Sequence, residues 1–376
     1  MTQKSTWAEI SRGAVEHNLD AIRKQISKNT LVCAVVKADA YGHGLKGFVK
    51  MLAENNMVDM AAVGKISELR TLMDEKITGG MQVILLGTAT AEEITEGLAN
   101  GSLAEERCIF SVYSRAQAEK LNEAAVLKNV RVRVHIRIDV WDSGMGIGPD
   151  EFSRFEDELF SLSNVEVCGI YSHLYTSYSE NDEVTKDELE RFSKTVTEMS
   201  AKHRRGVTVH VLNSALIFKF PEYAFDMVRA GTAMYGLPCK EEGKLIPAMK
   251  VCAKIFDVRY VPRAVPLSYS NVTDIDRKRR KIARIMYGYW DSPLLLTQEK
   301  VVINVNGKLY RPADEICMDN LCIDVTGDED VKVGDVAVLM GEEGVSIYDI
   351  LDRNGIQYVH SEWMCMTAGR LEKIYL

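Results

Sequence analysis

The chain has 376 residues and a formal net charge of −8, from 46 lysines and arginines against 54 aspartates and glutamates. At about 150 residues per domain, this length predicts two to three domains, or one large barrel with an appended domain. A mildly acidic chain without a block of lysine and arginine lacks the electrostatic footprint of a nucleic-acid or anionic-membrane binder. A hydrophobic fraction of 46% and a charged fraction of 27% are typical of a globular protein.

We expect no membrane segment in this chain, because no apolar stretch approaches the roughly 18 residues that cross a bilayer. The first residues also lack the apolar core of a secretory signal. The eight cysteines occur singly, with no CxxC pair and no zinc-ligand spacing near a histidine. These features predict a cytoplasmic protein with reduced thiols, no metal site and no nucleic-acid partner.

Short β-branched segments alternate with helix-like segments over the first 236 residues. Eight such strands are predicted, at 31–37, 60–66, 81–87, 108–113, 131–139, 165–174, 206–213 and 227–235. An opening helix is expected at about 11–27, and three segments fit the capping box that starts a helix: 90–93, 114–117 and 185–188. Eight alternations favour a (β/α)8 barrel. A doubly wound sheet is the alternative, and the absence of a GxGxxG motif after any strand weakens it.

From about residue 245 the pattern changes to strand-like segments joined by short turns. These lie at 250–261, 281–288, 300–305, 308–310, 321–326 and 333–340. Asn306-Gly307 predicts a tight hairpin turn, and one clear helix at 346–354 is closed by Gly355. The α/β chain is therefore predicted to form a TIM-type barrel over 11–240 and a mostly β domain over 241–376, which residues 1–10 are expected to join.

The segment VVKADAYGHG, from Val35 to Gly44, carries the strongest chemical signal. Lys37 follows the first buried strand, at the end where barrel active sites lie. A lysine amine there suits Schiff-base chemistry, whereas the alternative is a strand-terminal lysine that reaches solvent. The segment resembles the pyridoxal 5′-phosphate (PLP) motif of the alanine racemase family, and further segments match that family in order along the chain. The family fold is a barrel followed by a β domain.

The resemblance implies a role for individual barrel residues. Lys37 would be the Schiff-base lysine, and Arg229, in DMVRAGTAMYGL, would face the pyridine nitrogen. His173, in GIYSHL, would lie beside the cofactor ring. The phosphate group would be bound by Tyr41, Asn213, Ser214, Gly231 and Thr232.

In the second domain, Tyr269 in LSYS resembles the family's catalytic tyrosine, which reaches the cofactor of the neighbouring subunit. A homodimer with active sites at the subunit interface is therefore implied. Tyr289, Met318 and Asp319 resemble residues that line the substrate site. The implied reaction is the racemisation of L-alanine to D-alanine for peptidoglycan, with Lys37 and Tyr269 as bases on opposite faces of a small amino acid.

The chain departs from the family pattern at three places. Arg137 stands where a lysine is usual, and Ile147 stands where an arginine is expected, so we assign Arg137 itself to the substrate and cofactor site. Tyr287 and Trp290 make the entrance bulkier. A phosphate-binding tyrosine near the C-terminus is replaced by Ala368 or Gly369.

These departures keep a serine or serine/alanine racemase as an alternative to an alanine racemase. A PLP-dependent decarboxylase and a non-catalytic PLP-binding protein are further alternatives. Arg229 argues against the decarboxylase, because enzymes of that kind pair an acidic residue with the pyridine nitrogen. Tyr269 argues against the non-catalytic protein, which has no use for a second base.

Overall fold

A computed structural model describes residues 4–73, 77–141, 143–237, 245–269, 278–292, 300–355, 360–367 and 369–376. The chain begins with strand β1 (Thr6–Ile10) and helix α1 (Arg12–Arg23), which Ser11 caps by accepting a hydrogen bond from the Ala14 N–H. Eight parallel strands follow: β2 (Leu31–Val35), β3 (Met60–Val63), β4 (Gln82–Leu85), β5 (Cys108–Val112), β6 (Val132–Arg137), β7 (Val165–Tyr171), β8 (Thr208–His210) and β9 (Met227–Ala230).

The parallel strands form one sheet in the order β8-β7-β6-β5-β4-β3-β2-β9. A parallel bridge between Asn213 and Arg229 joins the segment after β8 to β9, so the sheet closes on itself. The interior is filled by apolar side chains that alternate along the strands: Cys33, Val35, Met60, Ala62, Ile84, Ile109, Cys168 and Met227. The predicted (β/α)8 barrel is confirmed.

Helices cover the outside of the barrel. They are preceded by a short turn, α2 (Lys37–Tyr41), and comprise α3 (Leu45–Glu54), α4 (Ile66–Met73), α5 (Ala91–Ala99), α6 (Arg115–Lys128), α7 (Pro149–Phe160), α8 (Asp182–Glu198), α9 (Ala201–Arg204) and α10 (Ser214–Lys219). Thr90 and Glu93 form the predicted capping box, and Ser114 caps α6. The start predicted at 185–188 is wrong, because α8 begins four residues earlier, with Asn181 and not Thr185 as its cap.

The second domain is built on a mostly antiparallel sheet. Its elements are β10 (Met249–Pro262), β11 (Arg279–Ile285), β12 (Ile303–Val305), β13 (Lys308–Tyr310), β14 (Leu321–Asp324), β15 (Val336–Met340), α11 (Ile347–Asn354), α12 (His360–Thr367) and β16 (Glu372–Tyr375). Asn306 and Gly307 both have positive φ, as the predicted hairpin requires. β1 pairs with β10 and β16, so Thr6–Ile10 lies in this sheet.

The predicted boundary at 240/241 lies outside the described residues, between Leu237 and Leu245. The sequence pattern predicted one helix in the second domain, whereas its described residues form two, α11 and α12. Within the described ranges, no helix has the length and apolar character needed to cross a bilayer.

Candidate active site

The chain directly after β2 adopts an unusual backbone. Ala38, Asp39, Ala40 and Tyr41 all have φ between +52° and +55°, so α2 is a left-handed turn. Left-handed helical backbone costs roughly 1–2 kcal/mol per non-glycine residue. Contacts with the rest of the protein must therefore stabilise the turn. Lys37, the residue that precedes these four, is thereby held at the mouth of the barrel.

A cluster of hydrogen-bond donors lies beside this turn. Ser214 Oγ accepts hydrogen bonds from the N–H groups of Gly231, at 2.8 Å, and Ala233, at 3.1 Å. A Cβ at Gly231 would lie 3.2 Å from Tyr41 Oη and 3.7 Å from Ser214 Oγ. Glycine therefore keeps this cradle open. Burial raises the pKa of Tyr41, which stays a protonated donor at neutral pH.

The cradle lies where two barrel segments end. Asn213 caps α10 through the Leu216 N–H, and Thr232 directly follows Gly231. Hydroxyl and backbone N–H donors at such a position suit a phosphate group. The Tyr41 and Ser214 hydroxyls, next to the space that Gly231 leaves open, therefore fit the phosphate of PLP.

Arg229 provides a fixed positive charge in the barrel. Its side chain is buried, with 3% of the residue exposed. One guanidinium nitrogen lies 3.0 Å from His210 Nδ1, and the other donates to the carbonyl oxygens of Ser172 and Val211, at 2.9 and 3.0 Å. Burial lowers the pKa of Arg229 to about 10, which leaves it charged at neutral pH.

His210 is itself held by a second histidine, because its Nε2 lies 2.9 Å from His135 Nδ1. Burial and the nearby Arg229 charge lower the pKa of His210 well below its usual range, so its ring is neutral. Neither histidine was singled out from the sequence. The signal that could have found them is a histidine inside an apolar strand, which is buried and needs a polar partner.

The protonation of His173 depends on the cationic residues of the barrel mouth. The residue is exposed, but the surrounding protein removes part of the hydration of its ring. This desolvation, followed by the charges of Arg229, Arg137 and Lys37, lowers the pKa of His173 well below its usual range. His173 is therefore a neutral ring close to three cations. The charges of three predicted residues thus act on the fourth, His173.

Arg137 also points into this mouth. It ends β6, is 9% exposed, and donates a 3.3 Å hydrogen bond to Tyr175 Oη. Its guanidinium lies 5.5 Å from the centre of the Tyr113 ring. Ile147, by contrast, is 1% exposed and belongs to the hydrophobic core. Within the segment where the family pattern has a lysine and an arginine, Arg137 is thus the cation that lies at the mouth.

The second domain assembles its own group of predicted residues. The Tyr289 N–H donates to the Cys317 carbonyl oxygen at 3.0 Å, and the Trp290 N–H donates to that of Met318 at 3.1 Å. Ser268 Oγ lies 3.1 Å from Cys317 Sγ, which places the neighbouring Tyr269 beside the same segment. Tyr269, Tyr289 and Met318 therefore belong to one surface.

Asp319 is engaged in an ion pair that the sequence did not reveal. Arg370 donates to Asp319 and Asp291, with 2.6 Å between the nitrogen and oxygen atoms in each case. These contacts raise the pKa of Arg370 and keep it charged. Ala368 lies outside the described residues, and a Cβ at the neighbouring Gly369 would meet open space. Among the described residues, no three His, Cys, Asp or Glu side chains gather to hold a metal ion.

Known proteins resemble this chain over its whole length. Residues 10–238 match the family model of the alanine racemase N-terminal domain, and residues 248–375 match that of the C-terminal domain. The chain is 32% identical to the alanine racemase of Methanococcus maripaludis over 100% of both chains. It is also 32% identical to that of Clostridium perfringens, over 99% of this chain and 95% of the other.

Solved structures show the same relationship. The alanine racemase of Clostridium difficile 630 in complex with cycloserine has a TM-score of 0.87 and 29% identity, and the match covers 100% of this chain and 96% of that one. The two family models together span both halves of the fold described above. This chain belongs to the alanine racemase family.

Proposed function

We propose that this chain racemises alanine with PLP as its cofactor. The observation that carries the proposal is the position of Lys37 directly after β2, because β2 pairs with β9, the strand that carries the buried cation Arg229 and leads into Gly231 of the donor cradle. When bound, the cofactor supplies an electron sink that makes the substrate Cα–H acidic. Membership of the alanine racemase family supports the same activity.

Each residue of the barrel mouth has a role in this proposal. The Lys37 amine would hold the cofactor covalently, and Arg229 would face the pyridine nitrogen and disfavour its protonation. His173 would lie beside the ring. The phosphate would be bound by Tyr41, Asn213, Ser214, Gly231 and Thr232.

Racemisation requires one base on each face of the substrate. We assign Lys37 Nζ to the proton of the D-isomer and Tyr269 Oη to that of the L-isomer. A proton removed by one residue is then replaced by the other on the opposite face. Tyr289, Met318 and Asp319 would line the path of the substrate to these bases.

The second base would come from a partner subunit in a homodimer. In the single chain, Tyr269 is 81% exposed, Trp290 is 67% exposed and Met318 is 50% exposed. Exposed large side chains of this kind are typical of an interaction surface. A two-fold dimer would lay this surface over the barrel mouth of the partner and supply each site with one tyrosine. A cytoplasmic location stays a prediction from the sequence.

Serine is the second candidate substrate. Arg137, Tyr175 and Ser143 are linked at the barrel mouth, where Ser143 Oγ lies 3.2 Å from Tyr175 Oη. Such polar groups can hydrogen-bond a substrate hydroxyl, and a site built for a hydroxyl discriminates strongly against a substrate that lacks it.

Exchange of the α-proton tests the proposed reaction directly. The PLP-loaded protein is incubated in D₂O with a panel of L-amino acids and with D-alanine, and deuterium at Cα is followed by NMR. We expect exchange and racemisation of alanine to be the fastest in the panel. Faster exchange of serine would reassign the substrate, and no exchange with any amino acid would overturn the racemase.

The role of Arg137 is tested by its replacement with alanine. Since Arg137 is the cation proposed to reach the cofactor, we expect kcat/KM to fall by tenfold or more. This is about the fold-change that corresponds to the loss of one charge-assisted hydrogen bond. The absorbance of the bound cofactor should change with it. Arg133→Ala is the control, because Arg133 lies in the same strand but pairs with Glu166 and the Glu106 carbonyl oxygen. Unchanged turnover and absorbance in the Arg137 variant would rule out this role.

A further inference from the structure

Glu68 is joined to the Lys37 turn by hydrogen bonds that the proposed mechanism does not use. Glu68 lies in the first turn of α4. Its Oε1 accepts a 2.7 Å hydrogen bond from the Ala38 N–H, the residue after Lys37. Its Oε2 accepts hydrogen bonds from the N–H groups of Gly64, at 2.8 Å, and Lys65, at 3.1 Å. One carboxylate thus connects the end of β2 to the loop after β3.

The bond to Ala38 satisfies a donor that the turn itself leaves without a partner. In a helical turn, the first N–H groups have no carbonyl within the turn to bind. Within α2 and its flanks, Ala40 N–H donates to the Val36 carbonyl oxygen and Gly42 N–H to that of Ala38, at 2.9 and 3.0 Å. The Ala38 N–H donates to Glu68 instead. A charged acceptor at this point stabilises backbone that is otherwise disfavoured.

The same carboxylate also holds the surface on which the Lys37 side chain rests. A Cβ added to Gly64 would lie 3.3 Å from Lys37 Cβ and 3.5 Å from Lys37 Cδ, so the lysine stem runs along this glycine. Because Glu68 binds the Gly64 N–H, it restrains both the backbone that follows Lys37 and the backbone against which the stem packs.

Other residues support the opposite end of the turn. Tyr375 Oη lies 2.8 Å from the His43 carbonyl oxygen and 2.9 Å from that of Gly44. Asp39 Oδ1 accepts a 2.7 Å hydrogen bond from the Leu45 N–H at the start of α3. The Tyr375 contacts lie six and seven residues after Lys37, and Asp39 lies two residues after it, whereas Ala38, which binds Glu68, directly follows Lys37. Of these three side chains, Glu68 is therefore the one bound to the residue next to Lys37.

We propose that Glu68 is a positioning residue that aims Lys37 at the cofactor by holding the N–H groups of Ala38 and Gly64. The proposal rests on the proposed function, in which Lys37 captures PLP. A carboxylate that reaches two backbone segments sets both the origin and the direction of the lysine side chain. Loss of one carboxylate oxygen of Glu68 should release either the Ala38 or the Gly64 backbone, and loss of both oxygens should release both backbones.

The test compares Glu68→Gln and Glu68→Ala with the same changes at Glu93. Glu93 is a matched control because it accepts a 2.9 Å hydrogen bond from the Thr90 N–H at the start of the next barrel helix, α5, away from Lys37. Protein stripped of cofactor is titrated with PLP and followed by absorbance. Borohydride reduction followed by peptide mass spectrometry then measures the fraction of Lys37 that carries the cofactor. Thermal unfolding of the stripped protein reports the purely structural effect.

We expect all four variants to lower the unfolding temperature, and those of Glu68 by more, since Glu68 accepts three backbone hydrogen bonds and Glu93 accepts one. The Glu68 variants alone should bind PLP more weakly, by about tenfold for one lost charge-assisted bond. Glu68→Gln keeps one acceptor oxygen, so its affinity for PLP should lie between that of the wild type and that of Glu68→Ala. Trapping at Lys37 should slow in the same order.

The outcomes separate this proposal from the proposed function. If Glu68→Gln captures PLP with the affinity and rate of Glu93→Gln, the positioning role is overturned, even if Glu68→Ala fails to fold. If both glutamine variants lose affinity equally, the effect is one of general stability and the role is again overturned. If the wild-type protein does not capture PLP at Lys37, the proposed function fails instead.

Discussion

Replacing Lys37 with alanine is expected to lower racemisation at least about 10⁴-fold, because the change removes both the amine that holds the cofactor and one of the two proposed bases. Stripped Lys37→Ala protein should also show no PLP attached after borohydride reduction. Racemisation is measured by chiral chromatography of the alanine isomers, and attachment by mass spectrometry of the intact chain.

Lys50→Ala is the control for this variant. Lys50 lies on α3 and faces solvent, where it forms a 3.7 Å ion pair with Glu54. An exposed pair of this kind contributes little to stability, so this variant should keep wild-type turnover and attachment. Full activity in Lys37→Ala, or PLP attached at another lysine, would show that Lys37 is not the lysine that holds the cofactor.

Replacing Tyr269 with phenylalanine is expected to slow racemisation on the order of 10³-fold, the contribution of a well-placed general base. The effect should differ between the two isomers. Lys37 can still exchange the α-proton of D-alanine with solvent, whereas L-alanine loses the only base assigned to its face. In D₂O, D-alanine should therefore gain deuterium without inversion. Equal loss of exchange for both isomers would contradict the assignment of one base to each face.

The proposed dimer makes a second, quantitative prediction for these two variants. Each is nearly inactive alone, but a chain with Lys37→Ala still has Tyr269, and a chain with Tyr269→Phe still has Lys37. With random pairing at equal amounts, half of the dimers are mixed, and one of the two sites in each mixed dimer has both bases. Co-expressed variants should thus recover about a quarter of the wild-type activity per chain.

The result of that mixture depends on whether Tyr269 acts in the site of its own chain or in that of its partner. If each site were built from one chain, every site in the mixture would lack one base. An inactive mixture whose mixed dimers are verified by two affinity tags would therefore exclude the shared site. The 81% exposure of Tyr269 in the single chain favours the shared arrangement.

Features governed by neighbours in sequence were predictable. The capping box at Thr90 and Glu93 is a local exchange of hydrogen bonds, and the turn at Asn306-Gly307 depends on the positive φ that these two residues tolerate. The start of α8 was wrongly predicted at 185–188, although the local pattern there is also a capping box. Asn181 caps the helix first, and Thr185 instead donates from inside it to the Thr176 carbonyl oxygen.

Features governed by distant contacts were not predictable. Nothing in the sequence around Lys37 signals four consecutive non-glycine residues with positive φ, because alanine, aspartate and tyrosine normally avoid that backbone. Arg370 likewise reads as an ordinary surface cation until the fold places Asp291 and Asp319 beside it. Each of these arrangements depends on partners 30 to 79 residues away in the chain.

The sequence by itself determined the class of fold and the position of the lysine at the end of the first barrel strand. Strand and helix periodicity and the residues of VVKADAYGHG are properties of short segments, which a linear reading can detect. Only the tertiary structure decided that Glu68 holds the turn after Lys37, that Ile147 is buried in the core, and that Tyr269 is uncovered in its own chain. Those outcomes arise from packing and hydrogen bonding between segments that the fold, and not the chain, makes neighbours.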